Sequence, residues 1–285
     1  MKYKDYLKKW QDIAVAKGYE ESAILLLLLY EAKITPSQLY VKMEDEIEDS
    51  IINSFEIDVK KYLEDNIPVQ YIVGEACFYG YDFNVNNNVL IPRPETEELV
   101  ENILYLYDDY FDGQDVDVVD IGTGSGCICV TLAAEESHMH LKATDISPEA
   151  LEVAKSNAKK MGVNVEFREG NMLEPVMNDK FDILVSNPPY IPETEEVDSL
   201  VKDNEPNVAL YGGNDGLKFF HIILKNAPLI MKDKCILAFE HGYNKTTEIE
   251  NICRTYFPDS EIYTKKDLQG LDRMTFVIRG FNNEK

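Results

Sequence analysis

From Arg93 onward, short β-branched and aromatic runs recur with about one helix of amphipathic sequence between each pair. The runs 116–119, 141–144, 165–168, 181–185 and 235–239 each read as a strand. Strand–helix alternation of this kind leaves a chain few options. Neighbouring parallel strands need a crossover, and a helix supplies it, so the spacing predicts βαβ units and a parallel sheet with helices on both faces. The last two runs, 261–263 and 274–278, are separated by only a short loop and are expected to pair as an antiparallel hairpin at the sheet edge.

Upstream the pattern changes. Residues 1–75 show helical apolar spacing broken at Thr35-Pro36-Ser37 and Ile67-Pro68, which predicts a separate small bundle of helices. Residues 76–92 turn strand-like, with Phe78, Tyr79, Tyr81, Phe83, Val85, Val89 and Leu90 interrupted by Gly80 and Asn86-Asn87-Asn88; this is read as a hairpin connecting the bundle to the domain 93–285. The longest apolar run, Ala23 to Tyr30, has eight residues, far short of the ~20 that span a bilayer, and reads as a buried helix segment. No export or transit pattern marks the N-terminus, so a cytoplasmic protein with no membrane partner is expected.

With 28 basic against 52 acidic residues the formal charge is −24. Such a field repels phosphate backbones, so DNA is not expected as a partner. The five cysteines lack paired spacing with nearby histidines, so neither a disulfide framework nor a metal site is expected, and small buried hydrophobes are the simpler reading.

Three motifs fall at strand ends. The first is Gly122-Thr123-Gly124-Ser125-Gly126, where a buried strand runs into a glycine turn and then a helix, letting backbone N–H groups approach a ligand. The second is Asp145, which ends the next strand before Ser147, a fitting N-cap, and Pro148 at the first helical position; a carboxylate there can accept both hydroxyls of a ribose. On these two signals alone a dinucleotide-dependent dehydrogenase stays open as a reading. The third, Asn187-Pro188-Pro189-Tyr190, decides against that. Prolines after a buried strand force a rigid turn that aims Asn187 and Tyr190 into the crevice. An amide nitrogen is a poor nucleophile because its lone pair is delocalised. The Asn187 oxygen and the Pro188 carbonyl can accept its two N–H groups and hold that lone pair in line with a sulfonium methyl, with Tyr190 offering a flat face to the planar group.

With these parts in this order, the sequence resembles the HemK/PrmC family of release-factor glutamine methyltransferases over nearly the whole chain. The resemblance rests on Tyr71-Ile72-Val73-Gly74-Glu75, Leu90-Ile91-Pro92-Arg93-Pro94-Glu95-Thr96-Glu97, Asp120-Ile121 with the glycine turn, Asn187 to Ile191, and Glu205-Pro206 leading to Ala209-Leu210-Tyr211-Gly212-Gly213-Asn214-Asp215-Gly216-Leu217. It implies an α/β, class I (Rossmann-like) methyltransferase domain of seven strands behind an N-terminal helical domain, and because a single amide offers too few contacts for selectivity, that helical domain is expected to dock the substrate. The implied reaction moves a methyl group from S-adenosyl-L-methionine to the glutamine amide in the Gly-Gly-Gln tip of class-1 peptide chain release factors. It places Gly122, Thr123, Gly124, Ser125, Gly126 and Asp145 at the cofactor, Asn171 and Met172 near the adenine, and Asn187 between cofactor and substrate. Many relatives carry an acidic residue and a large aromatic where this chain has Asn171 and Met172. Substrate contacts are expected from Asn187, Pro188, Pro189, Tyr190, Arg93 and Glu95, although the stretch from Arg93 also reads as a plain helix start, with Pro94 early and carboxylates in the first turn. Two rival substrates remain. A ribosomal-protein glutamine is disfavoured by Pro94-Glu95-Thr96-Glu97, and a nucleic-acid adenine N6 by the charge.

Overall fold

The computed structural model describes residues 1–281. The chain divides into two compact units, Met1–Glu75 with Val197–Asn204, and Ala76–Glu196 with the described chain from Glu205 onward.

The first unit is helical: α1 (Tyr3–Ala16), α2 (Glu21–Ala32), α3 (Pro36–Lys42), α4 (Asp49–Leu63) and α5 (Val69–Val73). Both breaks seen in the sequence are helix starts. Thr35 and Gln38 exchange side-chain and backbone hydrogen bonds as a capping box, with Pro36 in the first turn, and Pro68 precedes α5. The apolar run in α2 buries Ala23, Ile24, Leu27 and Leu28, while Leu26 and Tyr30 are 37% and 44% exposed, so it covers one helix face and is not buried all round. Tyr6, Trp10 and Phe55 meet edge to face at its core, an arrangement their ring quadrupoles favour.

The hairpin β1 (Glu75–Phe78) and β2 (Tyr81–Asn84) is shorter than the strand-like composition suggests. Its two-residue turn has φ of 53° at Tyr79 and 78° at Gly80, the left-handed pair that matches strand twist. Asn86 to Asn88 lies beyond it in a local turn, with the Asn88 N–H donating to Asn86 Oδ1 at 2.9 Å. Val85, Val89 and Ile91 are buried there outside any strand, so their apolar character serves packing.

Next come α6 (Pro94–Phe111), β3 (Val116–Ile121), α7 (Cys127–Glu135), β4 (Met139–Asp145), α8 (Pro148–Met161), β5 (Val165–Glu169), β6 (Phe181–Ser186), α9 (Ser199–Lys202), α10 (Asn207–Leu210), α11 (Lys218–Ile230), β7 (Met231–Glu240), α12 (Thr246–Tyr256), β8 (Glu261–Lys266) and β9 (Asp272–Arg279). Seven strands form one sheet in the order β5-β4-β3-β6-β7-β9-β8, with β9 alone running against the rest, so that its pairings with β7 and β8 are antiparallel and the others parallel. The expected parallel sheet and antiparallel edge hairpin are both present. Alternate residues of one strand enter two different cores: Val118, Ile183, Val185, Ile236 and Ala238 meet α6 and α7, while Val119, Leu184, Leu237 and Phe239 meet α11 and α12. Burial on both faces is why these strands read as unbroken apolar runs. Among the described residues no helix is long and apolar enough to cross a membrane.

Candidate active site

The strand order makes the site. From β3 the chain steps outward through β4 to β5, then returns to β6 on the other side of β3 and continues to β7. Crossovers therefore diverge at β3 and β6, leaving a crevice outside their carboxyl ends. A cavity of about 310 Å³ lies there. It is lined by Arg93, Gly122, Thr123, Gly124, Ser125, Asp145, Asn171, Met172, Asn187 and Pro189 among others, so most residues singled out in the sequence share one space.

Each wall has a local cause. The N–H groups of Gly122 and Thr123 both donate to the Thr144 carbonyl at 2.9 Å, tying the glycine turn to the end of β4. Gly122 has φ of 76° and Gly124 of 55°, and a Cβ on either would meet no protein atom within 4 Å, so both glycines face open space. Gly126 differs: it caps α7, and a Cβ there would lie 3.1 Å from the Ala154 Cβ, so it serves helix packing and is not part of the cavity lining. Asp145 is the last residue of β4 and is held by backbone donors, Gly124 N–H to Oδ2 at 2.8 Å and Ser147 N–H to Oδ1 at 2.9 Å. Burial raises its carboxyl above the ordinary range and those donors pull it back. Ser147 caps α8 by accepting from the Ala150 N–H, with Pro148 in the first turn.

Asp120, the next-to-last residue of β3, is fully buried and does not line the cavity; its Oδ2 accepts from Thr123 Oγ1 at 2.6 Å. Its Oδ1 has no hydrogen-bond partner, and burial pushes the carboxyl up to about 6. Met172 adopts φ of 49° and is nearly buried, with its carbonyl accepting from Thr144 Oγ1 at 2.9 Å. Its thioether supplies a soft wall where a ring could pack.

The Asn187 turn is braced from three sides. Ser186 Oγ donates to the Ile121 carbonyl at 2.6 Å, Asn187 Nδ2 donates to Thr96 Oγ1 at 3.2 Å, and Thr96 Oγ1 donates to Glu240 Oε2 at 2.6 Å. The stretch 209–217 wraps the same turn: the Ile191 N–H donates to the Leu210 carbonyl and the Gly212 N–H to the Ile191 carbonyl. A Cβ on Gly212 would lie 2.5 Å from the Pro189 carbonyl oxygen, and one on Gly216 2.3 Å from that of Tyr190, so both glycines are required by close approach.

Tyr190 does not line the cavity. Its ring lies near Gly242 and packs on the core between the sheet and α11, its hydroxyl donates to Glu240 Oε1 at 3.5 Å, and burial raises its phenol well above the ordinary range. Pro188 is buried behind the turn. Glu95 faces a separate acidic recess with Glu97, Glu98 and Glu101, where Gln269 Nε2 donates to it at 3.0 Å. Arg93 reaches the cavity, but its guanidinium is paired at 2.6 Å with buried Glu205, whose other oxygen accepts the Ile91 N–H. Three of the cysteines are buried as expected; Cys77 is exposed and Cys127 lines the cavity, with burial pushing its thiol up to about 12.

Sequence reasoning missed Thr96 as a member of the site and missed Glu240 altogether. A signal existed: Glu240 is the one charge closing the apolar run of β7, at the same sheet edge as the three motifs.

Residues 103–204 match the family model described as the Methyltransferase small domain, and residues 7–74 match that of the PrmC N-terminal domain. The release factor glutamine methyltransferase of Bacillus subtilis (strain 168) is 44% identical, over 93% of this chain and 94% of the relative. That of Staphylococcus aureus is 37% identical, over 95% and 97%. A methyltransferase crystal structure from Pyrococcus furiosus, 18% identical, covers 71% of this chain and 91% of its own with a TM-score of 0.53, a likeness of fold.

Proposed function

The chain belongs to the release factor glutamine methyltransferase family, and from that premise we propose how its residues methylate the glutamine amide in the Gly-Gly-Gln tip of class-1 release factors, in the cytoplasm and with S-adenosyl-L-methionine as donor. The observation that carries the reading is that the glycine turn, Asp145 and Asn187 line one cavity.

The residues present fit the donor. Gly122 and Gly124 leave room for it beside backbone N–H groups, Asp145 is positioned to accept ribose hydroxyls, and Asn171 and Met172 stand on the adenine side. When bound, the donor supplies a methyl group made electrophilic by its sulfonium. The protein's part is to place the nucleophile. Asn187 Oδ1 and the Pro188 carbonyl accept the two amide hydrogens of glutamine, so the nitrogen lone pair is directed at the methyl. Positioning alone can supply a large share of the ~7–11 kcal/mol available from pre-oriented reactants. Arg93, bound to Glu205, holds the rim of the cavity, and Tyr190 anchors the turn through Glu240.

Incubating the protein with donor and a purified release factor, then mapping the product by peptide mass spectrometry, tests the reading. One added methyl on the Gly-Gly-Gln glutamine is expected. No transfer to the factor, with transfer to a ribosomal-protein glutamine or to adenine in nucleic acid, would overturn it.

A further inference from the structure

An asparagine side chain has two ends of nearly equal shape and opposite hydrogen-bonding character. Turned the wrong way, Asn187 would present N–H groups to the N–H groups of its substrate, and the clamp would repel what it has to hold. Something must choose the end. Thr96, in the first turn of α6, and Glu240, the last residue of β7, converge on Asn187 from two separate elements. Thr96 is 2% and Glu240 1% exposed, so water does not substitute for either.

We infer that Thr96 and Glu240 form a positioning relay that fixes which end of the Asn187 amide faces the substrate. The inference rests on the reading of Asn187 as the acceptor for the glutamine N–H. An ionised carboxylate only accepts, so the Thr96 hydrogen is committed to Glu240 at 2.6 Å. The Thr96 oxygen is then free only to accept, and the group 3.2 Å away must be the Asn187 NH2 end. Oδ1 is left for the cavity, which both Asn187 and Thr96 line. Protonating Glu240 inverts the chain: the acid hydrogen goes to Thr96, the Thr96 hydroxyl turns to donate, and Asn187 turns its oxygen toward it. Burial, with Glu95 nearby, raises Glu240 to about 7, opposed by the Thr96 hydrogen bond, by Arg273, itself bound to Asp267, and to a smaller extent by the Asn187 amide, which also faces the carboxylate with its NH2 end. Tyr190 and Cys127 complete the titratable groups around it, and the following His241 is turned to Thr275. The clamp is therefore set correctly above the Glu240 titration and lost below it.

The test compares parent, Thr96→Val, Thr96→Ser, Asn187→Ala and Thr96→Val with Asn187→Ala, all as the full chain. Turnover on a release factor is one readout. The other is the Asn187 side-chain amide signal in 1H–15N spectra, identified by its absence in Asn187→Ala. Thr96→Val is expected to lose ~10–100-fold in kcat, the order of one preorganised polar group, with donor affinity and KM little changed. Thr96→Ser should recover most of it, and the double variant should be no slower than Asn187→Ala alone. The parent's kcat and its Asn187 amide signal should titrate together near pH 7, and both dependences should be much reduced in Thr96→Val, where only the weaker direct contact of Asn187 with Glu240 is left. An undiminished kcat in Thr96→Val, additive losses in the double variant, or an Asn187 signal indifferent to pH would overturn the relay. If the amide signal titrates through Thr96 but no release factor is methylated, the relay stands and the functional reading falls.

Discussion

At the scale of single residues, the site separates holding from placing. Asp145 is anchored by two backbone N–H groups, so its carboxylate is pre-set before any ligand arrives. Asp145→Ala is expected to weaken donor binding by ~1.5–3 kcal/mol, the worth of a charge-assisted hydrogen bond, as read by calorimetry; unchanged affinity in a folded variant would remove it from the site. In the proposed mechanism Asn187 places the acceptor amide. Asn187→Ala should lose ~10²–10³-fold in kcat while its thermal melt stays near the parent's, and turnover within a few-fold of the parent would end the clamp mechanism. Glu240 links the site to stability. Its folded carboxyl titrates at about 7 against an ordinary 4.5, so the folded state binds the extra proton, and the stability it confers is present below the ordinary value and lost as pH rises through 7. Glu240→Gln should therefore be more stable than the parent at pH 8 by ~1–3 kcal/mol in denaturant melts, even as it disturbs the relay. A variant less stable at that pH would contradict the burial argument.

At the scale of elements, the turn after β6 owes its shape to the stretch 209–217. That stretch hydrogen-bonds to both sides of Ile191 and approaches so closely that side chains are excluded at Gly212 and Gly216. Gly212 is the cleaner probe, since its backbone lies outside the left-handed region and only space is at issue. Gly212→Ala should push the Pro189 carbonyl away, lowering kcat by at least ~10-fold and leaving donor affinity within a few-fold, because a small misplacement of a clamp is costly to turnover. Full activity in that variant would show that the turn holds its shape without the wrap. Each of these partners was visible in the sequence, as a proline turn and a glycine-rich block, but their contact was not: sequence separation hides which loops meet at a sheet edge.

At the scale of the whole molecule, selectivity for one glutamine among many needs more than a clamp. A single amide offers too few contacts to offset the several kcal/mol lost on association, so a remote surface on the folded substrate must contribute, and the helical unit is our candidate for holding it. The full chain should show far higher kcat/KM on an intact release factor than on a short Gly-Gly-Gln peptide; equal values would leave only the local clamp. The sequence by itself determined the parallel sheet, its edge hairpin, the helical start and the three strand-end motifs, because periodicity, turn residues and caps are local and each element carries its own signal. It also marked Arg93 and Glu205 without showing that they pair across the cavity rim. Only the tertiary structure decided that Tyr190 turns to the core, that Glu95 faces another recess, and that Thr96 and Glu240 stand behind Asn187. The reason is physical: the strand order β4-β3-β6-β7 brings Asp145, Asp120, Asn187 and Glu240 to one edge, and a buried polar side chain takes its meaning from the partner that satisfies it, which is set by packing and not by its neighbours in the chain.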